Sequence, residues 1–152
     1  MKKTVVGIDP GMTTGWAIDT GSTIAAGTWQ LTHKSEHPLM RLHDYLSGIL
    51  SLNEVSLLCY EEPVARGMAA RSLNRQMGII ILVCERLRIP HYPVNPGTLK
   101  KHATGSGRAD KEQMLEAAQG RGWEFTDHNA VDALWLADYG RSLLIPTMGE
   151  TP

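Results

Sequence analysis

Cysteine is scarce in this chain of 152 residues; Cys59 and Cys84 are the two present. Two thiols are too few for a disulfide framework or a structural zinc site, so both are expected to be reduced core residues of a cytoplasmic protein. Long apolar runs are also missing. The longest, Ile79 to Cys84, falls far short of the roughly 18 residues a membrane span needs. Met1-Lys2-Lys3 has the charge of a secretory leader, but Asp9 interrupts the apolar stretch behind it and no small-residue cleavage site follows. Internal repeats and low-complexity tracts are absent, which excludes solenoid and fibrous architectures. What remains is 42% hydrophobic and 20% charged, the composition of an ordinary globule the size of one domain.

The net charge of -1 conceals an uneven distribution. Residues 1–62 carry 4 Lys/Arg against 7 Asp/Glu, residues 63–121 carry 10 against 4, and residues 122–152 carry 1 against 5. A basic middle between acidic ends fits solvated helix faces. It equally fits a surface for a polyanion beside carboxylates that metal ions would neutralise.

Lys3 to Asp9 reads as a buried strand ending in the turn signal Asp9-Pro10-Gly11. Gly15 to Asp19 and Thr23 to Leu31 read as two more strands joined by close turns, hence antiparallel hairpins. From Pro38 to Leu52 the apolar period becomes helical, with Leu39, Leu42, Leu46, Ile49 and Leu50 on one side. Val55 to Tyr60 and Pro90 to Val94 read as strands, and Ala69 to Leu87, Lys111 to Gln119 and Asn129 to Leu143 as helices. The helix over 69–87 is apolar nearly all round, which predicts a second contact besides its own sheet, such as another subunit. An α/β fold is expected, with a mixed sheet of three antiparallel strands followed by parallel ones, covered by helices.

Asp9 and Glu61 each end an apolar strand, where a carboxylate is costly without a partner. Glu61 and Glu62 alternate, so one faces inward and the other solvent. Asp132 lies in an apolar helix with no Lys or Arg anywhere in residues 122–140, and helix propensity supplies no reason for it. Asp127 just before that helix reads as its N-cap. Oxygen-rich sets of this kind suit Mg²⁺ or Mn²⁺, and two such ions form a clamp for phosphodiester hydrolysis. Lys100, Lys101, His102, Arg108 and Lys111 surround Gly105-Ser106-Gly107, which fits equally an ordinary basic loop between helices and a flexible loop whose amides could approach phosphates. Arg66, Arg71 and Arg75 follow Glu61 and fit either a solvated helix start or positive charge that steers DNA toward the acids. His33 and His37 have i, i+4 spacing but no third ligand nearby, which argues against zinc. Trp16, Trp29, Trp123 and Trp135 are expected in the core.

Together these residues resemble the RuvC family of Holliday-junction resolvases, over most of the chain. Gly7-Ile8-Asp9-Pro10-Gly11 with Thr14-Gly15 is similar to the family's first motif, Tyr60-Glu61-Glu62 to its second, Lys100 and Lys111 to its paired lysines, and Asp132-Ala133-Leu134 to its last. The resemblance implies a ribonuclease-H-like fold with a five-stranded sheet, a single nuclease domain over residues 1–145 and a tail over 146–152. It implies a homodimeric DNA endonuclease that resolves four-way junctions into 5′-phosphate and 3′-hydroxyl ends. Two Mg²⁺ or Mn²⁺ ions per site would sit on Asp9, Glu61 and Asp132, with Lys111 stabilising charge on the scissile phosphate. Where the family carries an acid or His three residues before its last Asp, this chain has Asn129, leaving Asp127, His128 and Asn129 as candidates for a further ligand. Val64 stands where the cellular enzyme has an aromatic wedge, which points toward a relaxed nuclease of flaps, forks and junctions. The short chain and the wording Asp127-His128-Asn129 resemble phage-type relatives.

Three other readings start from the same residues. Gly7 to Thr14 also resembles the first phosphate loop of actin-like ATPases, which need two such domains. An inert nucleic-acid-binding domain of this fold would not need the intact acids. An RNA-processing nuclease on this fold remains open; ribonuclease H proper would put its glutamate on the first helix, where this chain offers Asp44 and Glu36.

Overall fold

The computed structural model describes residues 2–31, 37–64 and 66–145. The 146–152 tail, His33 and Glu36 lie outside the described residues. Five strands form one sheet: β1 (Thr4–Asp9), β2 (Thr13–Asp19), β3 (Ile24–Gln30), β4 (Val55–Glu61) and β5 (His91–Val94). Their order is β3-β2-β1-β4-β5. The pairs β1–β2 and β2–β3 are antiparallel, and β1–β4 and β4–β5 are parallel, the mixed sheet that the alternation of elements implies. Five helices cover it: α1 (Pro38–Leu52), α2 (Met68–Leu87), α3 (Pro96–Thr104), α4 (Lys111–Gly120) and α5 (His128–Leu144). No helix among the described residues is long and apolar enough to cross a membrane.

The period of two along each strand sorts the core. Val6, Ile8, Leu58 and Tyr60 pack with α1 and α2, through Leu42, Leu46, Leu50, Ile80, Val83 and Cys84. Val5, Leu57 and Cys59 face the other way, into a core with Val131, Ala133, Leu134 and Ala137 of α5. Cys59 and Cys84 are buried free thiols, as expected. Trp135 is buried, and Trp16, Trp29 and Trp123 pack half-buried against the two cores.

α5 lies unusually close to the sheet because glycine meets backbone there. A Cβ on Gly7 would collide with Ala133 O and Ala137 N, and one on Gly15 with Asn129 O. From the helix side, a Cβ on Gly140 would stand 2.7 Å from Val5 Cγ1 and 2.8 Å from Cys59 Sγ. At the far end Arg141 Nε pairs with Asp19 Oδ2 at 2.6 Å, and Arg141 also donates to the carbonyls of Lys3 and Asp19. The helix is thereby held at both ends over β1 and β2.

The segment 95–111 departs from the loop expected of it. Asn95 Oδ1 accepts from Gly97 N, Pro96 occupies the first turn, and α3 runs to a left-handed Gly105 with φ 87°. Asn followed by Pro is a helix start, and Gly at the end is a helix stop. Asn95-Pro96 and Gly105 carry that signal within a segment whose lysines and glycines give it the composition of a loop.

Candidate active site

Asp9 and Glu61 end neighbouring parallel strands whose register pairs Ile8 with Tyr60. Residues 5, 7 and 9 and residues 57, 59 and 61 therefore alternate in step, which turns both carboxylates toward α5. Glu62 is exposed, as the alternation predicts. Asp132 enters from the first turns of α5. One carboxylate oxygen from each of Asp9, Glu61 and Asp132 lies within 4.8 Å of the other two.

Three half-buried carboxylates this close raise one another's proton affinity. Burial, then the charges of Glu61 and Asp132, hold Asp9 well above the ordinary carboxylate range. Burial and the Asp132 charge push Glu61 up to about 7. Burial lifts Asp132 to about 6 against the opposing pull of His128, Lys111 and Lys100. The local cations therefore do not compensate the cluster. A divalent cation would, and three carboxylate oxygens at this spacing are the donor set that hard cations take.

Lys100, from α3, and Lys111, the first residue of α4, line a cavity of about 360 Å³ together with Glu61 and Asp132. Lys111 follows the N-cap Asp110, whose side chain and Gln113 form a reciprocal capping box. A cation at the first turn opposes the helix dipole, so helix stability does not explain Lys111. Its place beside the acids does. On their other side, Asp9 and Glu61 border a smaller cavity of about 180 Å³ with Pro10, Pro63, Val64 and Leu73.

The chain matches no protein-family model. A crossover junction endodeoxyribonuclease RuvC from Agrobacterium fabrum is 31% identical over 156 residues, spanning 90% of this chain and 89% of that protein. One from Rhizobium etli is 32% identical over 148 residues, spanning 88% and 86%. The chain belongs to the RuvC family. Among solved structures, Thermus thermophilus RuvC superposes with a TM-score of 0.73 at 22% identity, covering 91% of this chain and 96% of that one. The same protein solved with a Holliday junction substrate gives 0.75 at 20% identity, covering 92% and 96%. A fowlpox virus Holliday junction resolvase gives 0.60 at 14% identity, covering 93% and 99%. The shared fold is the ribonuclease-H-like mixed sheet.

In this RuvC-family chain the remaining candidates fall into two groups. Asp127 caps α5, with Oδ1 accepting from the amides of Asn129 and Ala130 at 2.9 and 3.0 Å, and its charge still adds to the repulsion on Asp9 and Asp132. Lys101, Arg108, Arg66, Arg71 and Arg75 are exposed and line neither of the two cavities bordering the acids. At Gly105-Ser106-Gly107, two of the three amides expected to approach phosphates are engaged within the turn itself. The amide of Gly105 donates to Lys101 O, that of Ser106 to Thr104 Oγ1 and that of Arg108 to Ser106 Oγ. Those donors are occupied inside a tight turn between α3 and α4.

Two features of the site were not singled out from the sequence. Asp138 of α5 takes His102 Nε2 at 2.8 Å and both terminal nitrogens of Arg121 at 2.8 and 3.2 Å. That clamp ties α3 and the end of α4 to α5, two residues from Lys100. Arg121 also stacks over Trp123 and Trp135. The second is Gln76 of α2, buried beneath the turn that follows Asp9. A polar residue inside the apolar stripe of the 69–87 helix was its available signal.

Proposed function

We propose that this RuvC-family chain is a divalent-metal-dependent endonuclease that resolves four-way DNA junctions by paired phosphodiester hydrolysis. The observation that carries this reading is the meeting of Asp9, Glu61 and Asp132 beside Lys100 and Lys111. Asp9, Glu61 and Asp132 would hold two Mg²⁺ or Mn²⁺ ions, with Asp127, which caps α5 and adds its charge to the cluster, as a further candidate. When bound, such ions activate water and stabilise the leaving oxygen. The chain's own residues bind and orient. Lys111 and Lys100, on the walls of the larger cavity, neutralise charge as it grows on the scissile phosphate. The exposed Lys101, Arg108, Arg66, Arg71 and Arg75 meet the backbone of the junction arms. The products are a 5′-phosphate and a 3′-hydroxyl. Residues 1–145 act as one nuclease domain, since every described element joins the same sheet or its two helical layers.

A four-way junction has two-fold symmetry, so paired nicks call for two sites and a homodimer. α2 supports this. Its inward side is Gln76, Ile80, Val83 and Cys84, while Leu82, on the opposite side of the helix, is 45% exposed. Leu82→Glu should convert a dimer to a monomer in sedimentation while leaving the fold's circular dichroism unchanged.

A second reading, a relaxed nuclease of flaps and forks, is favoured by Val64. It is 62% exposed at the mouth of the smaller cavity, and a side chain of that size offers little surface for wedging between bases. The deciding experiment incubates labelled four-way junction, flap, fork, linear duplex and RNA–DNA hybrid with Mg²⁺ and with Mn²⁺. Resolution of the junction is expected, with cleavage lost by at least about a thousandfold in Asp132→Asn. Unchanged cleavage by that variant removes Asp132 from the mechanism, and cleavage of the hybrid alone replaces the DNA reading with an RNA one.

A further inference from the structure

Two polar side chains are fully buried among the described residues, Thr14 and Gln76, and both bond to Gly11. Thr14 Oγ1 donates to the Gly11 carbonyl at 2.7 Å. The Gly11 amide donates to Gln76 Oε1 at 2.8 Å. Thr14 is local, three residues along the same hairpin. Gln76 comes from α2, 65 residues away in sequence, from a helix side that otherwise presents Ile80, Val83 and Cys84. An amide in such company is unfavourable unless its polar atoms are matched, and the match it makes is to the turn that begins at Asp9. Pro10 has no N–H, so the Gly11 amide is the first backbone donor beyond Asp9. The other end of the Gln76 amide, Nε2, lies 3.7 Å from Met12 Sδ, so the whole side chain is engaged with this one turn.

We propose that Gln76 is a positioning residue, which sets the Asp9 carboxylate by anchoring the Gly11 amide to α2. The inference rests on the reading of Asp9 as a metal-holding residue. It makes metal affinity depend on how α2 is seated, and α2 is also the helix that carries Arg71, Arg75 and the outward Leu82. The seat of α2 and the geometry of the acid cluster are thus linked through Gln76, with Ser72 Oγ touching Met12 Sδ of the same turn at 3.9 Å.

The test is Mn²⁺ binding to the DNA-free protein, by calorimetry, for wild type, Gln76→Met and Gln76→Glu. Met keeps the length and removes the acceptor. Glu keeps an oxygen in the same place that accepts from the Gly11 amide. Loss of a partner behind a metal ligand costs about tenfold or more in affinity, so Gln76→Met should bind Mn²⁺ about tenfold more weakly, with Gln76→Glu near wild type. The Mg²⁺ concentration for half-maximal junction cleavage should rise in parallel, with the maximal rate recovered at high Mg²⁺. Gln76→Asn, whose shorter arm withdraws from Gly11, should show the same Mn²⁺ shift and serves if the Met variant fails to fold. Wild-type Mn²⁺ affinity in Gln76→Met overturns the proposal, as does an equal loss in the Met and Glu variants, which would report repacking alone. A wild type that binds no Mn²⁺ overturns it together with its premise. A wild type that binds Mn²⁺ with the expected pattern across variants, yet leaves every branched DNA intact, supports Gln76's role and sinks the nuclease reading by itself.

Discussion

The two faces of the sheet are built by different means. On one, α1 and α2 meet β1 and β4 through Leu, Ile and Val side chains that interdigitate. On the other, α5 meets β1 and β2 with almost nothing between the backbones, because Gly7 and Gly15 lie beneath it. Side-chain packing of the first kind can repack around a changed methyl at a cost of about 0.5–3 kcal/mol. Backbone contact of the second kind has no such slack. The acids that must converge use the second face: Asp9 and Glu61 point toward it and Asp132 belongs to its helix. The face with more slack carries the helix whose exposed Leu82 we assign to a partner copy. Precision of the site and adaptability of assembly are separated by one layer of strands.

The contrast is broken most severely by Gly15→Ala. A methyl there overlaps the Asn129 carbonyl, and the start of α5 must move away from β2. Destabilisation of more than about 4 kcal/mol is expected, seen in urea titration as a chain mostly unfolded without denaturant or with α5 displaced and metal binding lost. Ordinary stability in this variant would show that the close approach is not required.

An intermediate effect sharpens the contrast electrostatically. Folding raises the proton affinity of Asp9, Glu61 and Asp132. Groups raised in this way stabilise the fold below their unfolded values, near pH 4, and that contribution disappears as pH climbs through about 6 to about 7, where Asp132 and Glu61 ionise. The metal-free protein should therefore lose about 5 °C or more in Tm between pH 5 and pH 8, and Mn²⁺ at pH 8 should restore it. Asp132→Asn removes one charge from the cluster, so metal-free Asp132→Asn should melt above wild type at pH 8 and close to it at pH 5. A wild type whose metal-free Tm is flat over that range would mean that the three carboxylates do not repel.

The smallest effect is on the other face. Gly48 of α1 is exposed and a Cβ there meets nothing within 4 Å. Gly48→Ala should stabilise by about 0.5–1 kcal/mol through helix propensity, measured by the same denaturant titration. A glycine-to-alanine pair with opposite signs on the two faces is the sharpest form of the comparison.

Much of this was legible from local pattern. The strand ends at Asp9 and Glu61, the isolation of Asp132 in an apolar helix and the cap at Asp127 all follow from periodicities of a few residues. The helix α3 is marked at its ends by Asn95, Pro96 and Gly105, yet its segment has the lysine- and glycine-rich composition of a loop, so position and composition point in opposite directions there. The occupied amides around Ser106 were not legible, since whether a loop donor is free depends on how its own side chains fold back. Nor was the clamp of His102 and Arg121 on Asp138, whose members lie on three helices.

By itself, then, the order of residues determined which groups alternate, where helices begin and which carboxylates lack a local partner, because those are short-range matters of backbone geometry and side-chain size. Only the folded arrangement decided that Glu61 stands level with Asp9, that Asp132 arrives within 4.8 Å of both, and that Gln76 reaches across to hold Gly11. Strand register and helix approach set those distances, and both arise from the packing of distant segments against one another.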